Sequence, residues 1–298
     1  MQEVKCIICK DKQRLEVLYQ NNFSPDRITP QTFSARRTPD RIHYRIVKCR
    51  RCGLLFSNPI LEEDKINKLY KKSDFTFPLE AEYLKKTYWN YFEDLLPKEN
   101  KEKISVLEVG CSSGFFLEEI YKRGVTNISG IEPGKESVAK APKWLRNRIK
   151  IDVFKHGLFK KGSFDIICCF HTLDHVLKPN EFVRDTYRLL KNAGKVLFVA
   201  HNTDGLSVKI FGEHSPIFDI EHIYLFNPNT LLKLLEMNGF KDIKIIDIKN
   251  KYPLSYWARL MPFPKFLKDP LIYFLNISKI GFIPVAISAG NIGIIAEK

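Results

Sequence analysis

The sequence predicts an α/β fold: a mostly parallel β-sheet with helices on both faces, preceded by a small N-terminal module built on four cysteines. Three observations carry this expectation. From Ile104 onward, apolar runs of strand length alternate with amphipathic helical segments, the order that builds a parallel sheet covered on both sides. Val106-Leu-Glu-Val-Gly-Cys-Ser-Ser-Gly114 runs a hydrophobic strand into a glycine turn that opens a helix. Ahead of both stand two C-x-x-C pairs, Cys6/Cys9 and Cys49/Cys52.

Residues 1–60 form the first unit. They hold short β-like runs, Arg45–Lys48 and Leu54–Phe56, and the turn-forming Pro25, Pro30 and Pro39. Each C-x-x-C turn presents two sulfurs to one tetrahedral ion, so Cys6, Cys9, Cys49 and Cys52 together make a closed, structural Zn²⁺ site with no catalytic role. The 39 residues between the pairs exceed the length of a compact ribbon, which leaves His43 as a rival ligand. Cys111, Cys168 and Cys169 lie in apolar surroundings, and an odd total of 7 cysteines argues for free thiols in a reducing compartment. No apolar run reaches membrane-spanning length and the N-terminus lacks a secretory pattern, so the expected location is the cytoplasm.

Residues 61–100 read as a helical linker or cap, with three- and four-residue apolar spacing over Leu61–Lys71 and Glu80–Leu96, closed by Pro97. Residues 101–298 form the main domain. Strands are expected at Ile104–Val109, Ile128–Glu132, Ile149–Asp152, Phe164–Phe170, Lys195–His201, Lys241–Ile248 and within Pro284–Lys298. Helices are expected at Gly114–Arg123, from Glu132 to about Arg146, at Asn180–Lys191 and at Asn229–Asn238. An insertion at 251–282 interrupts the last two strands with eight aromatics and five Lys/Arg against one Asp.

The glycine turn discriminates between ligands. Starting at Gly110, a dinucleotide-binding G-x-G-x-x-G would need glycine at 112 and 115, where the chain has Ser112 and Phe115. A pyrophosphate has poor access past Phe115, whereas a nucleoside with an amino-acid tail has none to seat. Glu132 ends the second strand about twenty residues after the turn, where an acid accepts both ribose hydroxyls in nucleoside-binding folds of this kind.

The stretch from Glu108 to Gly114 resembles motif I of class I S-adenosylmethionine-dependent methyltransferases, E/D-x-G-x-G-x-G, with Ser112 in place of the middle glycine. Ser163-Phe-Asp-Ile-Ile-Cys-Cys-Phe-His-Thr-Leu-Asp-His-Val176 resembles the family's fourth-strand motif, and Arg188-Leu-Leu-Lys-Asn-Ala-Gly-Lys-Val-Leu197 its turn before strand five. Residues 221–240 are similar to its "EH..YFS..TL..LLE..GF" segment. The resemblance covers residues 104–248 in order and implies a Rossmann-like, seven-stranded sheet. It also implies S-adenosylmethionine held by Glu108, Gly110, Cys111, Ser112, Gly114, Phe115, Glu132 and Pro133, with Asp152 and Val153 at the adenine and Phe170 and His171 at the sheet edge.

Lys48-Cys-Arg-Arg-Cys-Gly-Leu-Leu-Phe-Ser-Asn-Pro59 also resembles the end of a zinc domain that precedes some bacterial methyltransferases of sugar-nucleotide and surface-polysaccharide pathways. That likeness implies a carbohydrate-related small-molecule acceptor: a sugar, a sugar nucleotide or a glycolipid, methylated on oxygen or carbon. A hydroxyl or carbon acid also needs a base. The sugar enzymes place a Glu-His pair over the acceptor, which implies His222 first, with Glu221 beside it, then His175 and His171; Tyr70 and Tyr224 are the loose matches to their tyrosines.

Net charge is +14, and residues 1–60 hold 12 Lys/Arg against 5 Asp/Glu, a field that attracts polyanions without choosing among them. An RNA methyltransferase is therefore one rival, though Phe170-His-Thr-Leu-Asp-His stands where an N-P-P-[YF] base-flipping motif would be. A non-catalytic scaffold is another, against which Gly110, Gly114 and Glu132 argue. The insertion 251–282 is read first as a lid that packs its aromatics inward and second as a peripheral contact with the inner face of the membrane.

Overall fold

A computed structural model describes residues 1–24, 28–33, 42–74 and 76–298, with the side chains of Pro30 and Gln31 left aside; Pro25 and Pro39 lie outside the described residues. The N-terminal unit contributes β1 (Leu15–Tyr19), β2 (Ile46–Cys49) and β3 (Leu55–Ser57), followed by α1 (Glu63–Lys71) and α2 (Pro78–Phe92). The main sheet and its helices then follow as β4 (Ser105–Val109), α3 (Phe115–Lys122), β5 (Asn127–Ile131), α4 (Lys135–Ala139), α5 (Lys143–Arg146), β6 (Ile149–Lys150), β7 (Phe164–Phe170), α6 (Pro179–Leu189) and β8 (Leu190–His201). After α7 (Leu206–Phe211) come β9 (Tyr224–Leu225), α8 (Pro228–Glu236) and β10 (Lys241–Asp247). The insertion holds β11 (Asn250–Pro253), α9 (Leu254–Leu260), α10 (Lys265–Ile277) and β12 (Pro284–Ile287), and β13 (Asn291–Glu297) closes the chain.

Seven strands pair in the order β10-β13-β8-β7-β4-β5-β6. The pairs from β8 to β6 are parallel, and β13 runs antiparallel to both of its neighbours. Side chains alternate across this sheet, as the two-residue strand period requires. Leu107, Val109, Ile167 and Cys169 enter one core with α6 and α8, while Val106, Ile166, Cys168 and Phe170 enter the other with α2 and α3. Near-continuous apolar runs such as Phe164–Phe170 are legible because both faces are covered.

Two expected elements differ. The helix expected to run through Arg146 is split into α4 and α5, with Pro142 at the break, since proline has no N–H for the helical ladder. Strand β8 starts five residues before the expected Lys195, with a bulge that lets Leu190 pair Phe164 and Lys195 pair Ile166.

The N-terminal unit is not a separate bead. Strands β1, β2 and β3 form an antiparallel sheet whose fourth strand is β9, which lies between α7 and α8 in the chain. Tyr44, Val47, Leu54 and Phe56 share one hydrophobic cluster with Leu107, Ile167 and Phe198 of the main sheet. The insertion pairs β11 with β12 into a hairpin-like base beneath α9 and α10.

Candidate active site and metal centre

A cavity of about 830 Å³ opens at the C-terminal ends of the parallel strands, the edge where ligands enter open α/β sheets. Its first half is built by the turn after β4. Gly110 and Gly114 hold φ of 77° and 71°, and Ser112 sits at φ 51° although it is not glycine. A Cβ on Gly110 would overlap Thr172, and one on Gly114 would come within 2.6 Å of Leu145. Only glycine satisfies both the left-handed backbone and that closeness.

Glu132 follows β5 with both carboxylate oxygens fixed. Ser112 N–H donates to Oε2 at 2.9 Å and Gly134 N–H to Oε1 at 2.8 Å. Burial pushes its carboxyl up to about 7, against the pull of those two donors. Glu108 is fully buried beside it, and burial together with the Glu132 charge raises its carboxyl well above the usual range. Its Oε2 is buried with no hydrogen-bond partner, as is the Ser112 hydroxyl. A buried polar atom without a partner is costly, and a ligand's donor or acceptor would satisfy each.

Asp152 and Val153 line the same cavity just beyond β6. Burial works against ionisation of Asp152, but the Lys155 amine at 2.6 Å and the Val153 N–H at 2.8 Å hold its carboxyl below the usual range. Phe115, Pro133 and Phe170 also face the cavity, and the Phe170 ring stacks on Tyr88 of α2 at 4.0 Å and 7°. Cys111 and Gly114 do not line it: the Cys111 thiol points into the sheet toward Gly130, and Gly114 packs on Leu145.

Four histidines form the second half. His171 follows β7 at φ 48°, His201 ends β8, and His175 and His222 come from the loops after β7 and before β9. Ring centroids lie 4.7 Å apart for His171–His201, 4.3 Å for His201–His222 and 5.0 Å for His175–His222. The His222 Nδ1–H donates to the Ile217 carbonyl at 2.7 Å, which leaves Nε2 as the lone-pair nitrogen. Burial, then His201 and His175, push His222 well below the usual imidazole range. The His201 Nδ1 lies 2.8 Å from Oδ2 of Asp174, which is wholly buried. Tyr70 OH bridges His175 Nδ1 at 2.9 Å and the Glu221 carbonyl at 3.3 Å. Glu221 lines the cavity, whereas Tyr224 lies in β9 against Phe56.

His201 lies in no quoted motif, and Asp174, although inside the Ser163–Val176 stretch, was given no role there. The signal available was that two neighbouring parallel strands, β7 and β8, are each capped at the functional edge by histidine. His171, Asp174 and His201 also offer ligand atoms within 4.8 Å of one another.

The Cys6, Cys9, Cys49 and Cys52 sulfurs lie within 4.8 Å of one another, and the cluster can hold a metal ion. Both knuckles turn alike: the residue after each pair is left-handed, Lys10 at φ 60° and Gly53 at φ 81°. Burial pushes the Cys6 thiol up to about 11 and raises Cys52 further, so a cation is what would hold these groups as thiolates. His43 is not among the cluster. Its Nδ1 lies 2.8 Å from the Tyr44 carbonyl and its Nε2 3.1 Å from Glu213, which excludes it as the rival ligand in this arrangement.

The insertion is divided. Tyr252, Tyr256 and Trp257 turn toward the cavity, but Phe266, Tyr273 and Phe274 are 74%, 69% and 62% exposed. The inward-packed lid expected from the sequence therefore describes only its first third. Among the described residues, no helix is long and apolar enough to cross a membrane.

Comparison with known proteins agrees with this geometry. Over 109 residues the chain is 34% identical to the ubiquinone biosynthesis O-methyltransferase of Escherichia coli, an alignment spanning 34% of this chain and 45% of that protein. The chain thus spans about half the length of the curated relatives it matches. Among solved structures, a SAM-dependent methyltransferase of Thermotoga maritima superposes with a TM-score of 0.50 at 17% identity, covering 74% of this chain and 93% of that one. Phosphoethanolamine N-methyltransferase 2 of Haemonchus contortus, solved with S-adenosyl-L-methionine, gives 0.52 at 15% identity over 82% of this chain and 61% of that one. At such identities these two speak for the fold alone. The family described as "Methyltransferase domain" matches residues 81–245, more than half of the 298 residues. The chain belongs to this methyltransferase-domain family.

Proposed function

We propose that the protein transfers a methyl group from S-adenosylmethionine to a small-molecule acceptor, a sugar, sugar nucleotide or glycolipid, on oxygen or carbon. The observation that carries this reading is a single cavity with a nucleoside-type cradle at one end and a histidine cluster at the other. When bound, the cofactor supplies a methyl group already activated on a sulfonium. The chain's own task is then alignment and proton handling.

In this reading, Glu132 accepts the two ribose hydroxyls, and the partnerless Glu108 Oε2 and Ser112 hydroxyl meet donors or acceptors of the bound nucleoside and its tail. Asp152 and Val153 border the adenine. Phe170, fixed by Tyr88, walls the reacting centre. His222, kept neutral, orients the acceptor together with Glu221 and His175. Proton removal falls to His201: Asp174 holds its Nδ1 and stabilises the imidazolium that forms, which leaves Nε2 to take the proton. The four-cysteine cluster holds a structural Zn²⁺, since a regular S₄ site has sulfurs about 3.8 Å apart for Zn–S bonds of about 2.3 Å, and Cys6 and Cys52 already stand at 3.5 Å. With those four on the metal, the free thiols are Cys111, Cys168 and Cys169, which fits a reducing cytoplasm.

Isothermal titration with S-adenosylmethionine tests the reading directly. Wild type should bind saturably, and Glu132→Ala should weaken binding at least about tenfold, the worth of one hydrogen bond to a charged group. Absence of binding to wild type overturns it.

A further inference from the structure

The most unusual surface of the molecule is the outer part of the insertion. Of eighteen exposed large apolar side chains among the described residues, ten fall between Phe263 and Ile283. Monomeric soluble proteins scatter such residues singly, and a contiguous group marks an interaction site. Helix α10 gives the fold only one buried side chain, Leu275. Its Phe266, Pro270, Tyr273, Phe274 and Ile277 stand at i, i+4, i+7, i+8 and i+11, which is one face of a helix. That face is turned to solvent, and Phe282 and Ile283, 63% and 54% exposed, follow it in the chain.

We propose that residues 263–283 seat the protein on a bilayer surface that carries anionic lipid headgroups. Length agrees with lying on a membrane and not with crossing one. Thirteen residues make a helix of about 20 Å, against about 30 Å of hydrocarbon. Charge agrees as well: Lys251, Arg259, Lys265, Lys268 and Lys279 accompany a single acid, Asp269, in residues 251–283. Basic residues around an apolar stripe match a negatively charged interface.

A second copy of the chain fits less well. A two-fold contact would set these cations against their own duplicates with only Asp269 to neutralise them. The same insertion supplies Tyr252, Tyr256 and Trp257 to the cavity wall, and the Trp257 indole N–H is tied to the Val285 carbonyl at 3.0 Å. One segment thus touches both the cavity and the outer apolar face. If the methyltransferase reading holds, it gives a lipid-linked acceptor a route from bilayer to cavity; the docking itself does not depend on that reading.

Flotation of the full-length protein with phosphatidylcholine vesicles, with and without phosphatidylglycerol, tests the proposal. Wild type should float with the anionic vesicles, and about tenfold less with pure phosphatidylcholine or at high salt. The triple variant Phe266→Ser/Tyr273→Ser/Phe274→Ser should lose about tenfold of that binding. Wild type left at the bottom with both vesicles overturns the proposal. So does a dimer by light scattering that the triple variant converts to monomer, which would assign the face to a second copy. Titration with S-adenosylmethionine checks that the variant is folded, and failure of wild type to bind it would strike the methyltransferase reading alone; the thermal melt then checks the fold.

Discussion

Glu132 accepts two backbone N–H groups, yet burial still lifts its carboxyl from 4.5 to about 7. Between those values the folded, ligand-free protein keeps a proton that the unfolded chain has lost, so this residue lowers stability as pH rises through the window. A diol donating to the charged carboxylate pulls the value down again. Cofactor binding near pH 7 should therefore release a proton and tighten from about pH 6 to about pH 8. Titration calorimetry in buffers of different ionisation enthalpy checks it: a heat independent of buffer, or one unchanged in Glu132→Gln, counts against the assignment. Ser112 gives a second prediction at this scale. It combines φ 51° with a buried hydroxyl that lacks a partner. Ser112→Gly should stabilise the ligand-free protein by about 0.5–1 kcal/mol, read as a higher melting temperature, while weakening cofactor binding. The sequence shows the substituted glycine but not that serine adopts the glycine's backbone, because that conformation goes with the Ser112 N–H bond to Glu132, 20 residues away in the chain. His201 was illegible for a related reason: its partner Asp174 lies 27 residues away and meets it only when β7 and β8 pair.

Among the elements, β9 has the largest consequence for its size. Two residues, Tyr224 and Leu225, pair with Phe56 and Leu55. Next to them the Ser57 hydroxyl donates to the His222 carbonyl at 3.0 Å, and Ser57 N–H to the Ile223 carbonyl at 2.8 Å. The cysteine-bearing sheet thus braces the loop that presents Glu221 and His222. Stripping any metal held by the four cysteines should lower the melting temperature yet change the affinity for S-adenosylmethionine less than about threefold, since the hydrogen bonds that fix Glu132 come from Ser112 and Gly134, outside β1–β3. A parallel loss of cofactor binding would show that the two halves are not separable. A two-residue strand leaves no alternating pattern, so β9 could not be read in advance. By contrast β7 was legible to the residue, because six of its seven positions, all but Asp165, are apolar and need no partner to be recognised. Helix α2 was visible as a helix, but its role was not: Tyr88 supports Phe170 from a distance of 82 residues. Tyr88→Ala should destabilise the protein by about 3 kcal/mol, measured by denaturant unfolding.

At the scale of the whole molecule, a seven-stranded sheet was implied by motifs that span residues 104–248, while the joining of the N-terminal sheet to the rest was implied by nothing local. Sheet edges and core faces are decided by contacts between segments far apart in sequence, and periodicity reports only on neighbours. Tyr44, Val47, Leu54 and Phe56 belong to the same buried cluster as Leu107, Ile167 and Phe198. A chain lacking residues 1–60 should therefore aggregate or melt far below the intact protein, since it exposes that cluster and leaves β9 without β3. Recovery of a soluble, cooperatively melting fragment that binds S-adenosylmethionine would refute this.

The shared sheet also orders events during synthesis. The two cysteine pairs, which together can hold a metal ion, leave the ribosome before the main sheet is made. Strand β3 nevertheless waits with a bare edge until Tyr224 and Leu225 emerge, about 170 residues later. Translation at about 5–20 residues per second makes that interval roughly 10–30 s. During it the nascent chain displays an open strand, and a chaperone that shields strand edges finds its substrate in that half-made protein.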